Sequence, residues 1–182
     1  MFSYQKRLLF PVYIEYPDKE LAHLLQKHYA GEDSEFVQFT QLMSQHLHIN
    51  TPHIRDLLGM IAAEELGHLE LIGAAIKKLG GQAPLVKNYF PRQSLEIASA
   101  VDISSIMKDN EKAEEKAIKL YTKHIAKTND THIKRLLQFL INREEVHQKI
   151  FNRSALLIDQ EAGSEQFSTL IHDYKMSLRV IT

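Results

Sequence analysis

The chain contains no cysteine, which removes disulfides, thiolate metal sites and thiol nucleophiles from consideration together. It has no excess of either charge, with 22 basic and 23 acidic residues, so it carries no basic footprint for nucleic acid. No apolar run approaches the ~20 residues that a membrane helix needs. The N-terminal residues 1–16 hold no apolar stretch long enough for a secretory signal. These absences leave a cytoplasmic location as the expectation. What is present is a 182-residue chain with 44% apolar side chains, enough for one domain with a single core.

Four long segments carry a helical apolar period. The first spans roughly 18–47, with Leu21, Leu24, Leu25, His28, Glu32, Glu35, Phe36, Phe39, Leu42 and His46 on one stripe. The second spans Pro52 to about Leu79, the third Ile103 to Ile125, and the fourth Ile133 to Ile158. Punctuation agrees with these limits. Thr51 precedes Pro52 as an N-cap followed by proline at the first helical position. Gly80 and Gly81 follow the second helix where a left-handed cap is expected, and Asp130 or Thr131 can cap the fourth. The connections after the first and third helices are short, so each pair forms an antiparallel hairpin. The middle connection is long and holds Gly80, Gly81, Pro84 and Pro91. Short, long, short is the connectivity of an all-α, ferritin-like four-helix bundle with one crossover. Residues 1–17 read as an extended arm, 18–158 as the bundle, and 159–182 as a weakly periodic tail, both ends being candidates to pack on neighbouring subunits.

Two Glu-x-x-His pairs lie in mid-helix, Glu65 with His68 and Glu144 with His147. Residues three apart share a helix face, so each pair can aim a carboxylate and an imidazole at one point. Glu20 and His23 have the same spacing and read as an exposed pair in a first helical turn. The stronger signal is a repeat: Glu35, Glu65 and His68 recur as Glu114, Glu144 and His147 at a constant offset of 79. Core residues follow the same offset, Ile54, Leu57, Leu58 and Ile61 mapping onto Ile133, Leu136, Leu137 and Leu140. The midpoints of the two Glu–Glu intervals, Asn50 and Asn129, fall in the short turns. All four glutamates then lie about 22 Å from their turns, in one layer.

Four carboxylates buried together would cost several kcal/mol each or be forced to protonate. Two divalent cations cancel their charge and two neutral imidazoles complete the ligand set. Hard oxygen plus imidazole suits manganese or iron equally, and one Glu from each of two helices with Glu-x-x-His from the other two is the pattern of di-iron and di-manganese bundles.

On these residues the sequence resembles the manganese catalase family, in particular its shorter members related to bacterial spore-coat proteins. The resemblance covers residues 1–158. It rests on Tyr4, Lys6, Leu8, Pro11 and Val12, on the run from Tyr29 through Ala30, Gly31, Glu32, Asp33 and Ser34 to Glu35, and on Glu64 to Glu70 around His68. It continues through Ala113, Glu114 and Tyr121, and ends on the run Phe139 to Gln148. The resemblance implies that Glu35, Glu65, His68, Glu114 and His147 are metal ligands, with Glu65 bridging. It implies that Glu144 either coordinates or relays protons, which makes it the catalytic candidate. The implied cofactor is a pair of manganese ions, with a pair of iron ions as the alternative. The implied reaction is disproportionation of hydrogen peroxide; the rivals are a di-iron oxidase or peroxidase using dioxygen or peroxide, and a structural spore-coat protein stabilised by its metals. A homo-oligomer is expected, with neither nucleic acid nor membrane as partner. Longer members of the family carry a C-terminal extension beyond the point where this chain stops. Around the six, Glu32 reads as an outer partner or salt bridge, Glu64, Glu70 and Glu145 as outer or surface groups, Tyr121 as core, and Arg143 as the anchor of an outer carboxylate.

Overall fold

The computed structural model describes residues 10–84 and 102–179, so expectations resting on Tyr4, Lys6, Leu8 and most of the 80–102 crossover, Pro91 included, lie outside the described residues. Six helices are described: α1 (Lys19–Ala30), α2 (Glu35–His48), α3 (Pro52–Lys78), α4 (Ile103–Ile125), α5 (Thr131–Asp159) and α6 (Ser164–Ser177). No strand occurs among the described residues. The start of α1 meets the end of α3, where Asp18 N–H donates to the Leu79 carbonyl (3.0 Å). The start of α4 likewise meets the end of α5, where Lys108 reaches Asp159 (2.8 Å). These contacts fix two antiparallel hairpins, α1/α2 with α3 and α4 with α5.

Local chemistry sets the ends. Asp130 accepts from the His132 and Ile133 amides (2.9 and 3.0 Å) and caps α5. Thr51 holds the N-cap position of α3 with extended backbone, but its side chain makes no capping bond, and Pro52 at the first helical position starts the helix instead. Gly80 adopts φ +86°, the left-handed conformation expected after α3.

The first predicted helix is in fact two. The apolar stripe keeps its phase across residues 31–34, but the backbone breaks there. The Gly31 backbone lies so close to the preceding turn that an added Cβ would stand 2.4 Å from the Lys27 carbonyl oxygen. Ser34 then opens α2, its hydroxyl accepting from the Val37 amide. The break puts Glu35 in the first turn of a new helix.

The weakly periodic C-terminal segment also holds a helix. Phe167, Leu170 and Tyr174 on α6 are buried against α3 and α5, each worth roughly 1.5–3 kcal/mol of apolar burial. The described part of the N-terminal arm packs on this chain's own bundle: Phe10 stacks on Phe139 at 4.6 Å, and Glu15 accepts from Thr131 N–H (2.9 Å).

Two apolar cores fill the bundle. One gathers Leu25, Ile72, Ile76, Leu136, Leu137 and Leu140; the other gathers Ile54, Leu58, Ile61, Met107, Ile150 and Phe151. The repeat-related sets, Ile54 to Ile61 and Ile133 to Leu140, therefore lie in different cores. The halves are arranged head to tail, and the layer they share falls between the cores.

Candidate metal centre

That shared layer is polar. Glu65 and His68 come from the middle of α3, Glu144 and His147 from the middle of α5, Glu114 from α4 and Glu35 from the first turn of α2. All six are at most 2% exposed. On the α3 and α5 helices, residues before and after each pair belong to opposite cores, so the three-residue spacing alone turns both functional groups inward.

The geometry pairs the six into two overlapping groups. His68 Nδ1 faces Glu65 Oε2 (3.1 Å), Glu144 Oε1 (3.0 Å) and Glu35 Oε2 (3.6 Å). His147 Nδ1 faces Glu65 Oε1 (2.7 Å), Glu144 Oε2 (3.0 Å) and Glu114 Oε1 (3.9 Å). Each of Glu65 and Glu144 thus gives one oxygen to each imidazole, whereas Glu35 and Glu114 each serve one side. Ligand atoms of Glu35, Glu65, His68 and Glu144 lie within 4.8 Å of one another, as do those of Glu65, Glu114, Glu144 and His147. The two groups are able to hold two metal ions that share Glu65 and Glu144.

The donor atoms are poorly satisfied by each other. Glu35 Oε2, Glu65 Oε1 and Glu144 Oε1 have no hydrogen-bond partner. Glu65 Oε1 and Glu144 Oε1 lie within ion-pair distance of an imidazole nitrogen, but without the angle a hydrogen bond needs. Buried oxygens that crowd a point without bonding across it fit a cation, because leaving them unpaired costs about 1–3 kcal/mol apiece. The hard, oxygen-rich donor set with imidazole suits manganese or iron.

Charge in the cluster is accordingly shifted. Burial, then repulsion from Glu144, raises the Glu35 carboxyl well above its usual range. Burial, then Glu65 and Glu144, does the same to Glu114. Burial disfavours a charged imidazole, but the facing carboxylates outweigh it. Glu144 and Glu65 raise His68 well above its ordinary value, and Glu64 and Glu65 raise His147. Glu65 is held low despite its burial, since His147 and His68 both stabilise its anion.

Outer partners orient the six. Arg143 forks onto Glu64, Nε to Oε1 (2.5 Å) and one terminal nitrogen to Oε2 (3.1 Å), the arrangement expected of a guanidinium with a carboxylate. Glu64 in turn faces the far nitrogens of both imidazoles. Tyr121 donates its hydroxyl to Glu35 and stacks on His28 at 4.0 Å, so it is a partner of the site as well as core. Gln38, with its NH2 turned to Glu114, donates to both oxygens (2.8 and 3.2 Å). Tyr174 of α6 donates to Glu64 Oε2 (2.6 Å). Sequence reasoning missed Gln38 and Tyr174; Gln38 is one turn after Glu35 and was findable by that spacing, whereas Tyr174 lies in a segment without a clear period. Glu32 is exposed and stands outside the cluster, because the break at 31–34 turns it to solvent. Glu70, Glu145, Glu20 and His23 are exposed as well.

This architecture defines a ferritin-like helical bundle with a carboxylate–histidine cluster of the dimetal type. The model of the manganese containing catalase family matches residues 1–102, more than half of the chain, and the chain belongs to that family. It is 25% identical to a probable manganese catalase of Clostridium acetobutylicum, over 92% of this chain and 85% of that protein. It is 27% identical to Protein CotJC of Bacillus subtilis, over 91% of this chain and 99% of that protein. Among solved structures it superposes on a manganese catalase from Anabaena with a TM-score of 0.74 at 25% identity, over 88% of this chain and 81% of that one. It also shares the fold of the Desulfovibrio desulfuricans bacterioferritin, with a TM-score of 0.66 at 19% identity over 83% of this chain and 86% of that one.

Proposed function

We propose that the chain binds two manganese ions through Glu35, Glu65, His68, Glu114, Glu144 and His147, and disproportionates hydrogen peroxide to water and dioxygen. The observation that carries this reading is the pair of overlapping donor groups sharing Glu65 and Glu144. A metal pair supplies the chemistry that side chains lack, storing and returning the two electrons exchanged with peroxide. Glu65 would be a shared carboxylate, since it turns one oxygen toward each imidazole. Glu144 would either complete both donor groups or carry substrate protons at Oε1, which has no hydrogen-bond partner among the side chains. Glu35 and Glu114 each close one side, fixed by Tyr121 and Gln38. The two apolar cores exclude water above and below the layer.

An oxygen electrode tests this on manganese-loaded protein. One dioxygen should appear per two peroxides consumed, and Glu144→Gln should lower turnover about 100-fold or more. Iron in protein purified without added metal, with oxidase turnover and no dioxygen from peroxide, would support the di-iron rival instead.

A second reading, a structural role of the spore-coat kind with metals that stabilise the fold, is favoured by one observation. The match to Protein CotJC runs over 99% of that protein's length, against 85% for the probable catalase. It predicts a bound metal pair and no peroxide turnover. In either role we expect a homo-oligomer, as the resemblance to the manganese catalase family implies. Light scattering at the 21.0 kDa monomer mass would contradict that. No described helix is long and apolar enough to cross a membrane.

A further inference from the structure

The two halves of the layer match at every donor, but their surroundings differ, most consequentially at one pair of repeat-related positions beside the imidazoles. Glu64 and Arg143 are 79 residues apart, the offset that relates all the donors. A symmetric repeat would place a glutamate at both positions, one for each imidazole. Arginine at 143 leaves a single carboxylate for two rings.

Glu64 does not serve them equally. Its Oε2 lies 3.0 Å from His147 Nε2 in a hydrogen bond, and also accepts from Tyr174 (2.6 Å) and Arg143 (3.1 Å). Its Oε1 is taken by Arg143 Nε. His68 Nε2 is 3.7 Å from Oε1 and has no hydrogen-bond partner although it is buried. Arg143 is itself pinned to α6, where it donates to the Ser177 carbonyl (3.2 Å) and hydroxyl (3.3 Å). Glu64 is thus held toward His147 by three residues of α5 and α6 and cannot swing to His68 without breaking those bonds. The donor carboxylates do not offset this bias, since Glu35 has Tyr121 and Glu114 has Gln38 as one fixed partner each.

A histidine that donates its outer N–H to a carboxylate is a better oriented and more basic metal ligand. Loss of such a partner commonly costs 10–100-fold in metal affinity. We propose that Glu64, locked by Arg143 and Tyr174, is a positioning residue that makes the two metal positions unequal. The position served by His147 fills first and holds its ion more tightly than the position served by His68. This rests on the reading of the six residues as a two-metal site. It gives α6 a role in that site: the Tyr174 hydroxyl sets the strength of an imidazole it does not touch through metal.

Calorimetric titration of manganese(II) into the full-length, chelator-stripped protein tests the proposal. The wild type should show two classes of one ion each, the tighter filling first. Glu64→Gln should weaken the tight class on the order of 10–100-fold, leave the weak class in place and bring the two together. Tyr174→Phe keeps the buried ring and the packing of α6 but removes the hydroxyl, and should shift the tight class in the same direction by less. Two ions bound with one affinity in the wild type would overturn the inference while leaving the two-metal reading intact. So would variants that weaken both classes alike, or a Tyr174→Phe protein with unchanged binding. No binding by the wild type would overturn the two-metal reading itself, and the inference with it.

Discussion

In the metal-stripped protein, Glu35 and Glu114 should contribute a stability that falls as pH rises. Glu35 and Glu114 have folded-state pKa values well above the 4.5 of an ordinary glutamate. A group raised in this way contributes its stability fully below the unfolded value and loses it as pH climbs toward the folded one. Above pH 5 each such carboxyl is ionised in the unfolded chain and stays protonated in the folded one until its raised value is reached. Each then costs about 1.4 kcal/mol per pH unit. Two carboxyls give a slope of at most about 2.7 kcal/mol per unit. Buried His28, lowered to about 3, and His124, also lowered, act in the opposite direction up to pH 6.5, because they are protonated only in the unfolded chain there. Glu65 adds nothing above pH 5, because its folded value is depressed and it is ionised in both states. Above pH 6.5, the ordinary histidine value, His68 and His147 add losses of the same sign. Urea unfolding of stripped protein at intervals of half a pH unit measures the slope. The double variant Glu35→Gln, Glu114→Gln should lose the falling contribution, so that its stability rises with pH between 5 and 6.5, and should be the more stable protein at neutrality. A slope that the double variant leaves unchanged would refute the reasoning.

Metal loading displaces those protons, so the melting-temperature gap between loaded and stripped protein should widen from pH 5.5 to 8; differential scanning calorimetry showing a constant gap would contradict this. Tyr121→Phe keeps the stacking on His28 and loses the bond to Glu35, which should lower stripped-protein stability by about 1 kcal/mol, read as an earlier urea midpoint. Phe151→Ala empties a fully buried position in the core away from the six. It should cost about 3–5 kcal/mol, while the folded variant still binds as many ions as the wild type; loss of binding there would mean the layer is not independent of that core.

The bundle was legible because its helices are long and its layer is duplicated. Glu65, His68, Glu144 and His147 interrupt otherwise apolar stripes, and the 79-residue offset ties Glu35 and Glu114 to them, so residue identities alone assembled the cluster. Arg143 was placed correctly against an outer carboxylate because a buried guanidinium in mid-helix needs one. The break between α1 and α2 was not legible from periodicity, because the stripe stays in phase across it; Gly31 and the capping Ser34 were its only local marks, and Glu32 was misplaced as a result. Helix α6 escaped because its buried face rests on only Phe167, Leu170 and Tyr174. Tyr174 therefore could not be joined to Glu64, a contact across 110 residues that no local pattern encodes. Tyr121 was assigned to the core on its stripe position, which the structure bears out; its hydroxyl bond to Glu35 depends on the packing of α4 against α2.

The central claim is that these six side chains hold a pair of metal ions. Elemental analysis of manganese-loaded protein after exhaustive dialysis tests it most directly. The account predicts two ions retained per chain; a chain that retains none would contradict it.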